Sequence, residues 1–279
     1  MSDSKLSPFT ARDGNNIALQ DWPLSEGESK GTVLVVHGLG EHAGRYHHAA
    51  LQLNSWGFDV RSYDHYGHGD SAGQRGDIPT SMRLVEDLTE VVEDTRRLMQ
   101  PGKPLVLLGH SMGGTVAATW VREKLGRVDA LVLSSPAFDP GLNALQKFLL
   151  RVMPRIAPHL CVANGLNPKM VCRDPAVVKA YTSDPLVHKR ISPLLAQFIS
   201  EQGARCIAAA KDWRVPTLLM YAGSDTLVSP AGSRAFASVA PSALVQSQCF
   251  DAMYHEILND PQKDQVFALL RTWLAQRLR

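Results

Sequence analysis

The stretch Pro104–Thr115, PLVLLGHSMGGT, decides the fold. Leu105 to Leu108 is an apolar run of strand length, and a helix can continue from Gly113 to Lys124. Ser111 therefore sits in a strand-to-helix turn. Gly109 and Gly113 flank it in G-x-S-x-G spacing, which implies a backbone folded so tightly that side chains at the flanks would collide. Such a turn holds a serine in a strained conformation with its oxygen exposed above a sheet.

Outward from this turn the chain keeps one rhythm. Short apolar runs occur at Thr32–Val36, Phe58–Tyr63, Leu105–Leu108, Ala130–Leu133, Thr217–Tyr221 and Leu244–Phe250. Between them, Val85, Leu88, Val92, Thr95 and Met99 recur at helical spacing, as do Val266, Leu270, Trp273 and Leu274 near the end. Strands alternating with helices predict an α/β domain with a mostly parallel central sheet flanked by helices. The rhythm fails once, from about Phe138 to Trp213, where leucine-rich segments are punctuated by Pro140, Pro154, Pro158, Pro168, Pro175, Pro185 and Pro193. The expected organisation is a core in two parts, 1–137 and 214–279, interrupted by a mainly helical insertion at 138–213.

A serine hydroxyl is a weak nucleophile at neutral pH, so it needs an imidazole to take its proton and an acid to orient that imidazole. For a serine in this type of turn the chain order is serine, acid, histidine. Three of the ten histidines lie beyond Ser111: His159, His188 and His255. The first two fall in the insertion. His255, in FDAMYHEILND, lies between the last strand and the last helix, where the base should arrive. Asp225, in the small-residue turn of YAGSDTLVSP, is the expected acid; Asp251 is its rival, but reads better as a turn residue. An oxyanion formed on attack needs backbone N–H donors. Met112, directly after the nucleophile at a helix start, is one candidate, and Leu39 in HGLGEH, after the Thr32–Val36 strand, is the other. His37 reads as a residue that structures that loop.

Composition excludes other classes. The net charge of +2 is spread without blocks, so nothing points to nucleic acid. No apolar leader or run of membrane-span length occurs, so the expectation is a soluble, cytoplasmic protein. The four cysteines show no metal or disulfide spacing, and His47, His48, His65 and His68 lack carboxylate partners at ligand spacing, so no metal site is expected. No glycine loop is followed by G-K-[ST].

Six motifs in order, HGLGEHAGRY, YDHYGHGDS, LLGHSMGG, YTSDPLVH, GSDTLVS and YHEILND, resemble the monoacylglycerol lipase and lysophospholipase-like branch of the α/β-hydrolases, over roughly residues 9 to 277. The resemblance implies an α/β-hydrolase fold and a cofactor-free serine esterase with Ser111, Asp225 and His255 as its triad and Leu39 and Met112 at its oxyanion positions. It makes 138–213 a cap over an acyl channel, with Tyr181 lining the channel and Arg45 matching the arginine of the EHxGRY loop. Leu258 and Val228 replace a histidine and a cysteine of animal members, so ester hydrolysis is implied but glycerol recognition is not. The expected substrates are monoacylglycerols or similar medium- to long-chain monoesters. Small-ester carboxylesterase, lysophospholipase and a non-catalytic binding protein of the same fold are the alternatives, the last disfavoured because every catalytic position is filled.

In LNALQKFLLRVMPRIAPHL, the residues Leu142, Leu145, Leu149, Val152, Met153 and Ile156 share a helical face, and Lys147, Arg151 and Arg155 form a basic row on another. Leu145 and Leu149 are expected to meet the acyl chain from inside the cap, while its outer edge touches a membrane. Pro154 and Pro158 should break or kink this helix.

Overall fold

In the computed structural model, which describes residues 4–278, the chain opens with an antiparallel hairpin, β1 (Lys5–Thr10) and β2 (Asn16–Trp22). Strand and helix then alternate: β3 (Thr32–Val36), α1 (His47–Ser55), β4 (Asp59–Tyr63), α2 (Arg83–Leu98), β5 (Leu105–His110), α3 (Met112–Arg122) and β6 (Ala130–Ser134). A mainly helical stretch follows, with α4 (Ala144–Ile156), β7 (Val162–Ala163), α5 (Pro175–Ser183), β8 (Arg190–Ile191) and α6 (Pro193–Ala209). The alternation resumes with β9 (Thr217–Ala222), α7 (Pro230–Val239), β10 (Val245–Phe250) and α8 (Lys263–Arg277).

Eight strands form one sheet in the order β1-β2-β4-β3-β5-β6-β9-β10, parallel from β4 onward. The central strands are buried on both faces, which is why they read as unbroken apolar runs. In β5, Leu105 and Leu107 face the core beneath α2, α3 and α6, whereas Val106 and Leu108 face the one beneath α1 and α8. Strand order reverses at β3: β4 lies on one side of it and β5 on the other, with Val36 opposite Gly109. At such a reversal the loops leaving the carboxyl ends of two strands diverge and open a crevice. The loop after β3 and the turn holding Ser111 border that crevice.

Two features were not legible from patterning. The β1–β2 hairpin is one: β1 is an exposed edge strand and carries Pro8, which such an edge tolerates. The other is the unity of 138–213. Leu195, Phe198, Ile199 and Cys206 of α6 are built into the core beside α3, so this helix belongs to the body, whereas no residue of α4 is buried. Between them β7 and β8 pair as a two-residue ribbon. Two contacts tie this outer layer to the loop after β3: the His188 N–H donates to the Gly40 carbonyl (2.9 Å), and the His42 ring to Asp184 (2.8 Å). Pro154 is accommodated inside α4, which ends two residues later. Among the described residues no helix is long and apolar enough to cross a membrane.

Candidate active site

Ser111 adopts φ 53° and ψ −122°, a left-handed conformation that a β-carbon disfavours. The backbone around it is clamped: its N–H donates to Ser134 O (3.0 Å), and its carbonyl accepts from Ala137 (3.0 Å) and Thr115 (3.2 Å). The flanking glycines are required by close approach. A β-carbon on Gly109 would stand 2.6 Å from Gly113 O, and one on Gly113 would collide with the carbonyl oxygens of Val36 and His37. The G-x-S-x-G spacing thus lets α3 rise directly off β5 and press against the exit of β3.

Asp225 and His255 come from the loops after β9 and β10. Their side chains meet at 2.6 Å, Asp225 Oδ2 to His255 Nδ1, and both residues are buried. An ionised carboxylate only accepts, so Nδ1 carries the proton and Nε2 is left as the basic nitrogen. The other oxygen, Oδ1, accepts the N–H groups of Leu227 (2.9 Å) and Val228 (3.0 Å). Burial alone would raise the Asp225 pKa, but the His255 charge and these hydrogen bonds outweigh it, and the carboxyl titrates below its ordinary range. For His255, burial opposes the charged form, yet the Asp225 carboxylate prevails and raises the pKa above 6.5. Asp251 does not join them: it is exposed, and its carbonyl accepts the Ser224 hydroxyl.

A cavity of about 320 Å³ opens over this group, and Ser111, His255, Leu39 and Met112 all line it. Among the described residues no hydrogen bond yet joins Ser111 Oγ to the His255 ring, a contact that commonly tightens only with substrate bound. The loop carrying Leu39 is braced by His37. Its Nε2 accepts the His65 N–H (2.9 Å), so Nδ1 bears hydrogen and donates to Gly38 O (2.8 Å). In a trans peptide the carbonyl and the next N–H point opposite ways, so the Leu39 N–H is turned away from that ring. Neither the Leu39 nor the Met112 N–H has a protein acceptor among the described residues.

Four expected substrate contacts lie elsewhere. Arg45 is buried in ion pairs with Glu41 and Glu256 and does not reach the cavity. Tyr181 packs its ring on that guanidinium, 4.8 Å away, and also lies outside the cavity lining. Leu145 and Leu149 of α4 are 66% and 43% exposed and do not line the cavity, which takes Leu142, just ahead of that helix, and Gln146 from its first turn instead. Patterning identified the apolar face but not the direction it points. Ile199 of α6 lines the cavity, and only a tertiary contact places it there. Glu41 and Glu256 were also unassigned, although the i, i+4 spacing of Glu41 and Arg45 was a visible signal. His159 stands apart with Asp77 (3.0 Å), and His188 is half-buried beside His68. Of the two departures from animal relatives, Val228 lines the cavity and Leu258 is buried in the core under α8. A larger groove, about 510 Å³ between α4 and α6, carries Lys147, Arg151 and Arg155, and among the described residues no histidine lines it to activate its one serine, Ser200.

The family model described as "Serine aminopeptidase, S33" matches residues 27–262. A monoacylglycerol lipase of Mycolicibacterium smegmatis is 33% identical, over 97% of this chain and 96% of that protein. The human monoglyceride lipase is 28% identical, over 95% of this chain and 88% of that protein. Among solved structures, a monoacylglycerol lipase of Paleococcus ferrophilus superposes with a TM-score of 0.82 at 30% identity, covering 99% of both chains.

Proposed function

This chain belongs to the serine aminopeptidase S33 family of hydrolases, and from that premise we propose that it hydrolyses monoacylglycerols or similar medium- to long-chain acyl monoesters. The observation that carries the reading is the wall of the cavity over Ser111. Leu39, Leu142, Leu166, Ile199, Leu227 and Val228 contribute to it, and among the described residues no Asp, Glu, Lys or Arg lines it. A peptidase that removes residues from a free N-terminus needs a carboxylate to hold the α-ammonium, since an unpaired buried charge is costly. A neutral, largely apolar wall suits an acyl chain.

In this reading Ser111 Oγ attacks the ester carbonyl while His255 Nε2 takes its proton, and Asp225 holds the ring. The oxyanion is received by the N–H groups of Leu39 and Met112, the latter at the positive end of α3. Collapse breaks the C–O bond, the alcohol leaves with the proton from His255, and water then hydrolyses the acyl-serine by the same steps.

The test is hydrolysis of p-nitrophenyl esters and monoacylglycerols from two to sixteen acyl carbons, alongside aminoacyl anilides. At ~30 Å³ per water-sized group the cavity holds roughly ten such groups. Each buried methylene adds about 0.8 kcal/mol, roughly fourfold, so kcat/KM should climb with chain length until the cavity is filled. Leu142→Trp should shorten the preferred chain, while Leu145→Asp should leave the profile for soluble esters as it was. A profile that peaks at acetate and ignores Leu142→Trp would leave a small-ester carboxylesterase, and faster cleavage of anilides than of any ester would overturn the reading.

The outer side of α4 supports contact with a lipid surface. Leu145, Phe148, Leu149 and Ile156 are exposed there, with Lys147, Arg151 and Arg155 on the same helix. Apolar side chains beside a basic row suit a helix lying in an anionic interface. Sedimentation with vesicles of phosphatidylglycerol and phosphatidylcholine should pull down the protein, less at high salt, and Leu145→Asp with Phe148→Asp should weaken it at least tenfold. Unchanged binding in that double variant would remove α4 as the contact.

A further inference from the structure

Behind the cavity lies a buried charge cluster that the chemistry above does not use. Arg45 Nη1 donates to Glu41 Oε2 (2.5 Å) and to Glu256 Oε1 (2.7 Å), and its Nη2 donates to Glu256 Oε2 (2.9 Å). The three side chains are 10%, 5% and 6% exposed. Glu41 Oε1 also accepts the Gly38 N–H (2.5 Å) and the Tyr46 hydroxyl (2.7 Å). None of Glu41, Arg45 or Glu256 lines the cavity.

Each end of the cluster abuts a working part of the site. Glu41 holds the N–H of Gly38 and His37 its carbonyl, so both peptides flanking Gly38 are fixed, the second of which carries the Leu39 N–H. Glu256 directly follows His255 in the chain. The two loops leave β3 and β10, strands four places apart in the sheet, or about 19 Å at ~4.8 Å per step. Their relative position over the crevice therefore depends on what joins them above the sheet, and the Arg45 guanidinium does so.

From this geometry we infer that Arg45 is a positioning residue: by bridging Glu41 and Glu256 it holds the oxyanion loop and the loop of the general base in one fixed relation. A buried ion cluster adds little net stability over well-packed apolar side chains, so its contribution here is orientation. The planar fork of arginine grips Glu256 with two parallel bonds while still reaching Glu41, which a lysine ammonium cannot reproduce. The Tyr181 ring stacked on the guanidinium, from α5, buttresses the bridge from the outer layer. In support, the Glu256 and Glu41 carboxylates add, after burial and the dominant Asp225 contribution, to the upward shift of His255.

The inference rests on the ester-hydrolase reading, and one experiment separates the two. Arg45→Lys, Glu41→Gln and Glu256→Gln are compared with wild type for kcat and KM on a soluble p-nitrophenyl ester, per site titrated with a fluorophosphonate. Arg45→Lys should lower kcat at least tenfold with KM within twofold, and weaken a trifluoromethyl ketone transition-state analogue by the same factor as kcat. The losses of Glu41→Gln and Glu256→Gln should fail to add in the double variant, since each breaks the same bridge. Glu256→Gln should also move the acid limb of kcat/KM to lower pH, because a carboxylate that favours the imidazolium is gone. If Arg45→Lys does not fold, the two glutamine variants carry the test alone. A wild-type kcat per titrated site in Arg45→Lys, or strictly additive losses in the glutamine pair, overturns the inference while leaving ester hydrolysis in place. A wild type that cleaves no ester, or a Ser111→Ala protein that does, overturns the reading beneath it.

Discussion

Ser111→Ala should lose turnover on the order of 10⁵- to 10⁶-fold on any ester the wild type cleaves, the range seen when a serine nucleophile is removed from an intact triad. Its hydroxyl has no hydrogen-bond partner among the described residues, and its backbone is held by Ser134, Ala137 and Thr115 through main-chain groups that alanine keeps. Alanine tolerates the positive φ about as poorly as serine does, so the fold and melting temperature should be nearly unchanged. The measurement is kcat on p-nitrophenyl butyrate, with a thermal melt and labelling by a fluorophosphonate probe. The wild type should be labelled and the variant should not. A variant that retains a tenth of the rate, or is still labelled, removes Ser111 from the chemistry.

Asp225→Asn should lower kcat by about 10⁴-fold, through the tautomer of its partner and with the site otherwise intact. Asp225 Oδ2 accepts the Nδ1 proton of His255 at 2.6 Å, whereas an amide can turn its N–H toward the ring and favour a proton on Nε2, where the base must be bare. The pH profile gives a second readout with a definite sign. In the wild type, where Asp225 raises the His255 pKa above 6.5, activity should fall as pH drops through that raised value. With the carboxylate gone, burial is left to disfavour the charged ring, so the acid limb of the residual activity should move to lower pH. Asp251→Asn, at an exposed carboxyl, should change kcat less than threefold and leave the profile in place. The reverse ranking would transfer the role to Asp251.

What was readable without coordinates is what short stretches of chain enforce. The strands β3, β5, β6 and β9 are legible because strands buried on both faces must be apolar at every position. The turn at Ser111 is legible because steric exclusion at Gly109 and Gly113 acts within a few residues of the serine. The order of serine, acid and histidine is legible as soon as strand ends are assigned, since each of the three follows one. The β1–β2 hairpin escaped because an exposed edge needs no apolar run; α6 was expected to be helical, but its place in the body escaped because packing on α3 is a contact between residues far apart in the chain.

Direction and long-range pairing belong to the tertiary structure. The apolar residues from Leu142 to Ile156 were plain in the sequence, yet α4 begins only at Ala144, so Leu142 lines the cavity from the segment ahead of it while Leu145 and Leu149 stay exposed; a period says which residues share a face and not where the helix starts or what that face meets. Arg45 and Tyr181 sit in recognisable motifs, but their mutual stacking and the grip of Arg45 on Glu256, 211 positions away, exist only once the loops after β3 and β10 converge above the sheet. The central parallel strands, the strained turn and the candidate serine, acid and histidine could be read from short stretches, since local sterics and hydrophobic period act over a few residues. Only the folded chain decided which wall those side chains face and what holds them there, because a charge buried by packing must find its partner in space.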